Sequence, residues 1–275
     1  MTPQPSASSS SVDVQHRNNV HVTGLSTGRP IVFAHGFGCS QEMWRRVAPA
    51  FADTHRVVLF DHVGAGKSDL DAYDYGKYDS LHGYADDVVE LITDLDLHDV
   101  VYVGHSVSAM IGVLAAQRTP SRIGALVLVS PSPRYVNDEG YQGGFDQAEI
   151  EGLLEALEAN YLGWSTAMAP VIMGNADRPE LGQELTDSFC STDPAIARHF
   201  AQVTFLSDNR RDLAAVTTPT LILQSRDDAI APLQVGEYVH EHITGSALVV
   251  LPVSGHCLNL SAPVEVQAEI RAFLA

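Results

Sequence analysis

Six short runs of the chain are dense in β-branched and other apolar residues and are bounded by turn formers. They are 30–35 (PIVFAH), 56–61 (RVVLFD), 99–104 (DVVYVG), 123–130 (IGALVLVS), 219–224 (PTLILQ) and 247–252 (ALVVLP). A strand with one wet face alternates apolar and polar residues, whereas a strand buried on both faces does not. The runs therefore predict central strands of a parallel sheet. Between them the period becomes helical. In 82–97, Tyr84, Val88, Leu91, Ile92 and Leu95 share one face. Near the end, Pro263 suits a first helical position ahead of a stripe made by Val266, Ile270, Phe273 and Leu274. Strands alternating with helices predict an α/β sheet covered on both faces.

The alternation stops over 132–207, where helical stripes continue without a strand. Asp146 followed by Glu149 reads as a capping box, ahead of Ile150, Leu153, Leu154, Leu157 and Tyr161 on one face. Further helices are predicted over 163–173, 179–190 and 194–206. An all-helical insertion of this kind predicts a cap laid over one end of the sheet. The domain organisation is thus a core of 18–131 and 208–275 with a cap insertion at 132–207. The Ser- and Pro-rich start, MTPQPSASSSSVDVQ, predicts a disordered tail over 1–17.

Composition narrows the function classes. The 275 residues carry a formal charge of −18, are 45% hydrophobic and include only two lysines, Lys67 and Lys77. Such a chain can bury a large core, and its charge repels phosphate backbones and anionic membranes; neither nucleic acid nor membrane is an expected partner. Three widely spaced cysteines, Cys39, Cys190 and Cys257, make neither a disulfide framework nor a zinc ribbon, so a reducing cytoplasm is the expected setting. No secretory h-region and no spanning apolar run is present in the sequence.

The candidate chemistry sits where strands end. In VYVGHSVSAMIG a strand runs directly into a helix with Ser106 at the corner. A nucleophile elbow needs such a turn to lift the serine Oγ above the sheet, with small residues on either side. Gly104 fits the usual G-x-S-x-G; Ser108 replaces the second glycine. His35-Gly36-Phe37-Gly38 follows the first buried strand, as an oxyanion loop would, with Phe37 and Val107 as the backbone N–H donors. A carboxylate pair, Asp227-Asp228, follows a late strand, and His256 follows the last. The order is Ser…Asp…His, the catalytic order of α/β-hydrolases. Two decoys are set aside. Gly64-Ala-Gly66-Lys67-Ser68 lacks the first glycine of a P-loop, since Asp61 stands there. His240 and His242 are two apart, not the four that put two ligands on one helix face. The chemistry calls for no cofactor and no metal.

These residues carry a family resemblance. From about 18 to 275 the chain resembles the α/β-hydrolase fold, and within it the RsbQ-type bacterial stress regulators and their plant relatives, the karrikin and strigolactone receptors. The stretches HGFGCSQEMW, LFDHVGAGKSD, GHSVSAMIGVLA, SPSPRYVND, YQGGF, FCSTDPAIAR and LQSRDDAIAP all look like that group. The resemblance makes Asp228 the triad acid, and Ser108 a trait of the subgroup. It implies a four-helix, V-shaped cap over an apolar pocket with Ser106 at its floor. The implied walls are Phe37, Tyr135, Phe145, Trp164 and Phe205, with Met168 where plant relatives tend to have an aromatic. The implied activity is hydrolysis of a small hydrophobic ester or lactone through an acyl-enzyme, in an RsbQ-like signalling role. The alternative is a ligand sensor with slow or single turnover, whose cap change activates a stress-signalling phosphatase.

Overall fold

Continuous apolar runs can satisfy their backbone only by pairing on both sides, and they do so here. The computed structural model describes residues 13–275. Its seven-stranded sheet comprises β1 (His21–Gly24), β2 (Arg29–Ala34), β3 (His55–Leu59), β4 (Val100–His105), β5 (Ile123–Val129), β6 (Thr220–Asp227) and β7 (Ala247–Ser254). The order is β1-β3-β2-β4-β5-β6-β7. The six predicted strands run parallel, and β1 joins the β3 edge antiparallel. β1 escaped the sequence reading because all four of its residues are exposed and carry no burial pattern. At the centre, every residue of β4 is buried.

Helices cover both faces, as the alternation predicts. In α2 (Leu81–Asp94) the predicted stripe Tyr84, Val88, Leu91 and Ile92 is buried. Asp87 lies on the same face, a carboxylate among apolar groups. It is held by Arg17 at 3.0 Å, Lys77 at 2.6 Å and the Tyr78 hydroxyl at 2.8 Å. This cluster corrects the tail expectation at its C-terminal end. Val14–Arg17 forms a helical turn, α1, capped by the Asp13 side chain, and Arg17 is buried. The partners that order it are some seventy residues away, which local composition cannot reveal. Residues 1–12, the rest of the expected tail, lie outside the described residues.

The insertion is four helices: α4 (Gln147–Ala159), α5 (Tyr161–Met173), α6 (Pro179–Cys190) and α7 (Pro194–Phe205). They follow α3 (Val107–Arg118) and precede α8 (Arg210–Leu213), α9 (Leu233–His242), α10 (Leu258–Ser261) and α11 (Pro263–Leu274). Glu149 Oε2 accepts the Asp146 N–H at 2.7 Å at the start of α4, as the capping box predicts. α5 ends where Gly174 takes a left-handed φ of 66°, a turn that glycine makes at no steric cost. Because β2, β4, β6 and β7 run the same way, their outgoing loops meet at one edge of the sheet, where α/β folds place their sites. Among the described residues no helix is long and apolar enough to cross a membrane.

Candidate active site

Ser106 occupies the turn between β4 and α3 with φ 57° and ψ −125°. A serine held at positive φ is a strained conformer, of a kind that persists where the surroundings over-determine it. The packing does so. A Cβ at Gly104 would collide with the Ser108 backbone, and one at Gly36 would lie 2.7 Å from His105 Nδ1 and 3.3 Å from Ser106 Cβ. Only glycine at those two positions lets strand, helix and the 35–38 loop close on the serine.

The structure brings the three candidate side chains together across 150 residues of sequence. The Ser106 hydroxyl donates to His256 Nε2 at 2.8 Å, and His256 Nδ1–H donates to Asp228 Oδ2 at 2.8 Å. The other Asp228 oxygen accepts the N–H groups of Ile230 and Ala231 at 2.8 and 3.0 Å. That leaves the carboxylate one free direction, toward the imidazole. Asp227 turns away into an exposed position, where the Ser254 hydroxyl donates to it at 3.3 Å. All three members of the relay are buried. The His256 main chain is clamped as well. Its N–H donates to the Ile172 carbonyl in α5 at 3.0 Å, and its carbonyl accepts from His105 Nε2 at 3.0 Å.

Phe37 and Val107 lie beside the serine on the two expected segments. Val107 is the first residue of α3, so its N–H has no acceptor within the helix. The Phe37 ring meets four cap aromatics, Trp164, Phe189, Phe200 and Phe205, with centroids 5.8–6.2 Å apart. Above Ser106 is a small apolar cavity of about 30 Å³, lined chiefly by Phe37, Tyr135, Ile172, Leu185, Phe189 and Phe205. The Tyr135 hydroxyl stands 3.5 Å from Ser106 Oγ, and burial pushes its pKa up to about 12, so it stays a neutral phenol.

Phe37, Tyr135 and Phe205 therefore stand where the resemblance puts them, and three expected wall residues do not. Trp164 stacks behind Phe189, at 5.7 Å and 16°, and supports the wall without lining it. Phe145 is half-buried in a β-bridge with Val136, its N–H bonded to the Tyr135 carbonyl. Met168 is half-buried and packed against the core, and it does not line the cavity. Sequence reasoning missed Ile172, Leu185, Phe189 and Thr204 as lining residues, along with Cys39 and Cys257. Leu185 and Phe189 were legible only as an i, i+4 stripe, which core packing would equally produce.

Gly64 to Ser68 is a turn wrapped on a carboxylate. Asp61 accepts from the Gln41 and Lys67 N–H groups and from the Asn19 side chain at 2.7–2.9 Å. An anion is already built in where a P-loop would hold a phosphate.

Comparison with known proteins agrees with this architecture. Residues 29–263 match the family model described as the alpha/beta hydrolase fold. The karrikin insensitive 2 receptor CA of Petunia hybrida is 39% identical over 91% of this chain and 93% of its own length. The strigolactone esterase D14 of Arabidopsis thaliana is 40% identical over 93% of this chain and 96% of its own. Among solved structures, a hydrolase from Oleispira antarctica superposes with a TM-score of 0.93 at 40% identity, covering 95% of this chain and 96% of its own. The expected likeness to karrikin and strigolactone receptors is borne out.

Proposed function

The chain belongs to the alpha/beta hydrolase fold family, and on that premise we propose that it is a serine hydrolase of small hydrophobic esters or lactones. The reading rests on one observation, the unbroken relay from Ser106 through His256 to Asp228. Ser106 Oγ attacks the substrate carbonyl carbon while its proton passes to His256 Nε2. Asp228 holds the imidazole in the accepting tautomer and stabilises the imidazolium. The tetrahedral oxyanion is met by the N–H groups of Phe37 and Val107. Its collapse breaks the bond to the alkoxide, which takes the proton from His256. Water, deprotonated by the same imidazole, then releases the acid and restores Ser106. In a lactone the leaving alkoxide stays attached to the acyl group, so a single hydroxy acid is released.

An apolar wall with few polar groups suits a ligand with little charge. The cavity of about 30 Å³ holds only one or two waters, whereas ligand pockets run to about 300–1,000 Å³. Productive binding of anything larger than an acetyl group therefore requires the cap to move. Ser106→Ala is expected to abolish both p-nitrophenyl acetate hydrolysis and covalent labelling by a fluorophosphonate. Hydrolysis or labelling that survives the substitution overturns the assignment.

A second reading, ligand sensing with an RsbQ-like signalling role, is favoured by the bond from His256 N–H to the Ile172 carbonyl. Through it, a shift of α5 moves the imidazole, so the occupied and empty sites differ at the surface of the cap. The partner would be a signalling protein such as a stress phosphatase. Sensing predicts slow or single turnover of a lactone with changed hydrogen exchange in α4–α7; fast multiple turnover with an unchanged cap supports metabolism.

A further inference from the structure

Ser108 breaks the G-x-S-x-G pattern, and its side chain has a job that glycine could not do. The residue is fully buried at the second position of α3, with its carbonyl held by the Tyr102 hydroxyl at 3.1 Å. Its own hydroxyl donates to the carbonyl of His35, at the start of the loop that carries the Phe37 N–H. With that proton committed, the oxygen accepts from His62 Nε2 at 2.7 Å. The remaining bonds fix both imidazoles. The His62 main-chain N–H donates to His35 Nε2 at 3.0 Å, so the His35 proton is on Nδ1, where it donates to the Gly36 carbonyl at 2.9 Å. Burial lowers the pKa of His35 and of His62, keeping both rings neutral and the direction of every bond fixed.

Three buried residues, Ser108, His35 and His62, thus close a ring of hydrogen bonds that ties the segment ending in the Phe37 N–H, by way of the loop after β3, to the segment beginning with the Val107 N–H. The 35–38 loop is gripped from the opposite side by the cap. There the Phe37 ring packs on aromatics, and the Ser188 hydroxyl donates to the Gly38 carbonyl at 3.0 Å. A cap that opens for substrate releases the second grip and leaves the first intact.

We propose that Ser108 is a positioning residue, a strut whose hydroxyl sets the spacing of the two oxyanion donors independently of the cap. The inference rests on the serine-hydrolase reading above. Donors aimed at the developing oxyanion act in the transition state and little in the ground state, so losing the strut lowers kcat and spares KM. Removing a donor outright costs about 10²–10³ in kcat, and displacing one costs less.

The test is steady-state hydrolysis of p-nitrophenyl acetate by Ser108→Ala, Ser108→Gly and Ser108→Thr, with active sites titrated and folding followed by thermal melting. Ala and Gly are expected to lower kcat about 10- to 100-fold with KM within about twofold and the pH midpoint unmoved; Thr, which keeps the hydroxyl, restores most of the rate. The glycine variant serves if alanine compromises folding, because glycine is the usual occupant of this position in the elbow. A folded Ala or Gly variant with wild-type kcat overturns the strut, as does a loss confined to KM. Ser106→Ala, run alongside, separates the two claims. If it remains active, the reading of the site is wrong; if it is dead while the Ser108 variants match wild type, only the strut fails.

Discussion

Asp227 and Asp228 are chain neighbours with opposite surroundings. Successive side chains in an extended segment point apart, so only one can reach the imidazole. The one that does is buried and takes two main-chain N–H bonds on its free oxygen, which fix the orientation of the carboxylate. Asp228→Asn is expected to lower the kcat of ester hydrolysis by about 10⁴, the size of effect seen when a triad loses its acid. Asp227→Asn, on the exposed side, should leave it within about threefold. Steady-state kinetics of the two variants decide it, and the reverse ranking would move the acid to Asp227. His105, also beside the site, does not compete as a base. Burial lowers its pKa to about 3, and its Nε2–H is spent on the His256 carbonyl.

At the scale of elements, the cap sets what the site admits. Phe189 of α6 closes the cavity, with Trp164 of α5 stacked behind it and Gly38 beneath, where a Cβ would run into the ring. Phe189→Ala removes the inner face of this stack. Measured as kcat/KM for p-nitrophenyl hexanoate over acetate, the ratio should rise about tenfold or more, because the long acyl chain gains room that acetate does not need. The truncation should also cost about 3–5 kcal/mol of stability, the usual range for a buried Phe→Ala, read from urea midpoints. An unchanged chain-length ratio would mean that substrate enters elsewhere. Trp164→Ala should shift the ratio the same way but less, since the indole reaches the cavity only through the rings it packs on, Phe189 and Phe37.

For the whole molecule, three buried histidines make folding acid-sensitive. Burial lowers the pKa of His35, His62 and His105, the last to about 3, against about 6.5 in an unfolded chain. Between those values the unfolded chain binds a proton that the fold refuses, so stability falls as pH falls. One fully mismatched histidine contributes up to about 1.4 kcal/mol per pH unit. Asp87, whose carboxyl burial raises, works in the opposite sense, and the Asp208 carboxyl, lowered by Arg210, matters only in stronger acid. The urea midpoint should therefore drop steadily from pH 7 to pH 4.5, and His105→Gln should flatten the slope by about one proton. A midpoint flat over that range would show that the three rings take up protons in place.

Strand order of appearance, the helical run from α4 to α7 and the strand–helix corner at Ser106 were legible in the sequence because each is a local signal. A run of β-branched residues, a change of period and a serine at a strand–helix corner need no knowledge of distant residues. Edge strand β1 and the ordered turn at Val14–Arg17 were not legible, since one has no burial pattern and the other is stabilised by Asp87 and Glu90 far along the chain. The pocket walls divided the same way. Tyr135 and Phe205 line the cavity, while Phe145 is held in a bridge with Val136 and Trp164 and Met168 lie on α5 outside the lining, positions that the packing of distant segments fixes. The sequence by itself determined which side chains could do the chemistry. Only the tertiary structure decided which oxygen of Asp228 faces His256, which aromatics line the cavity above Ser106, and that the Ser108 hydroxyl is bonded to both His35 and His62. Those are matters of distance and direction between segments that share no neighbours in sequence, and the packing of the whole chain fixes them.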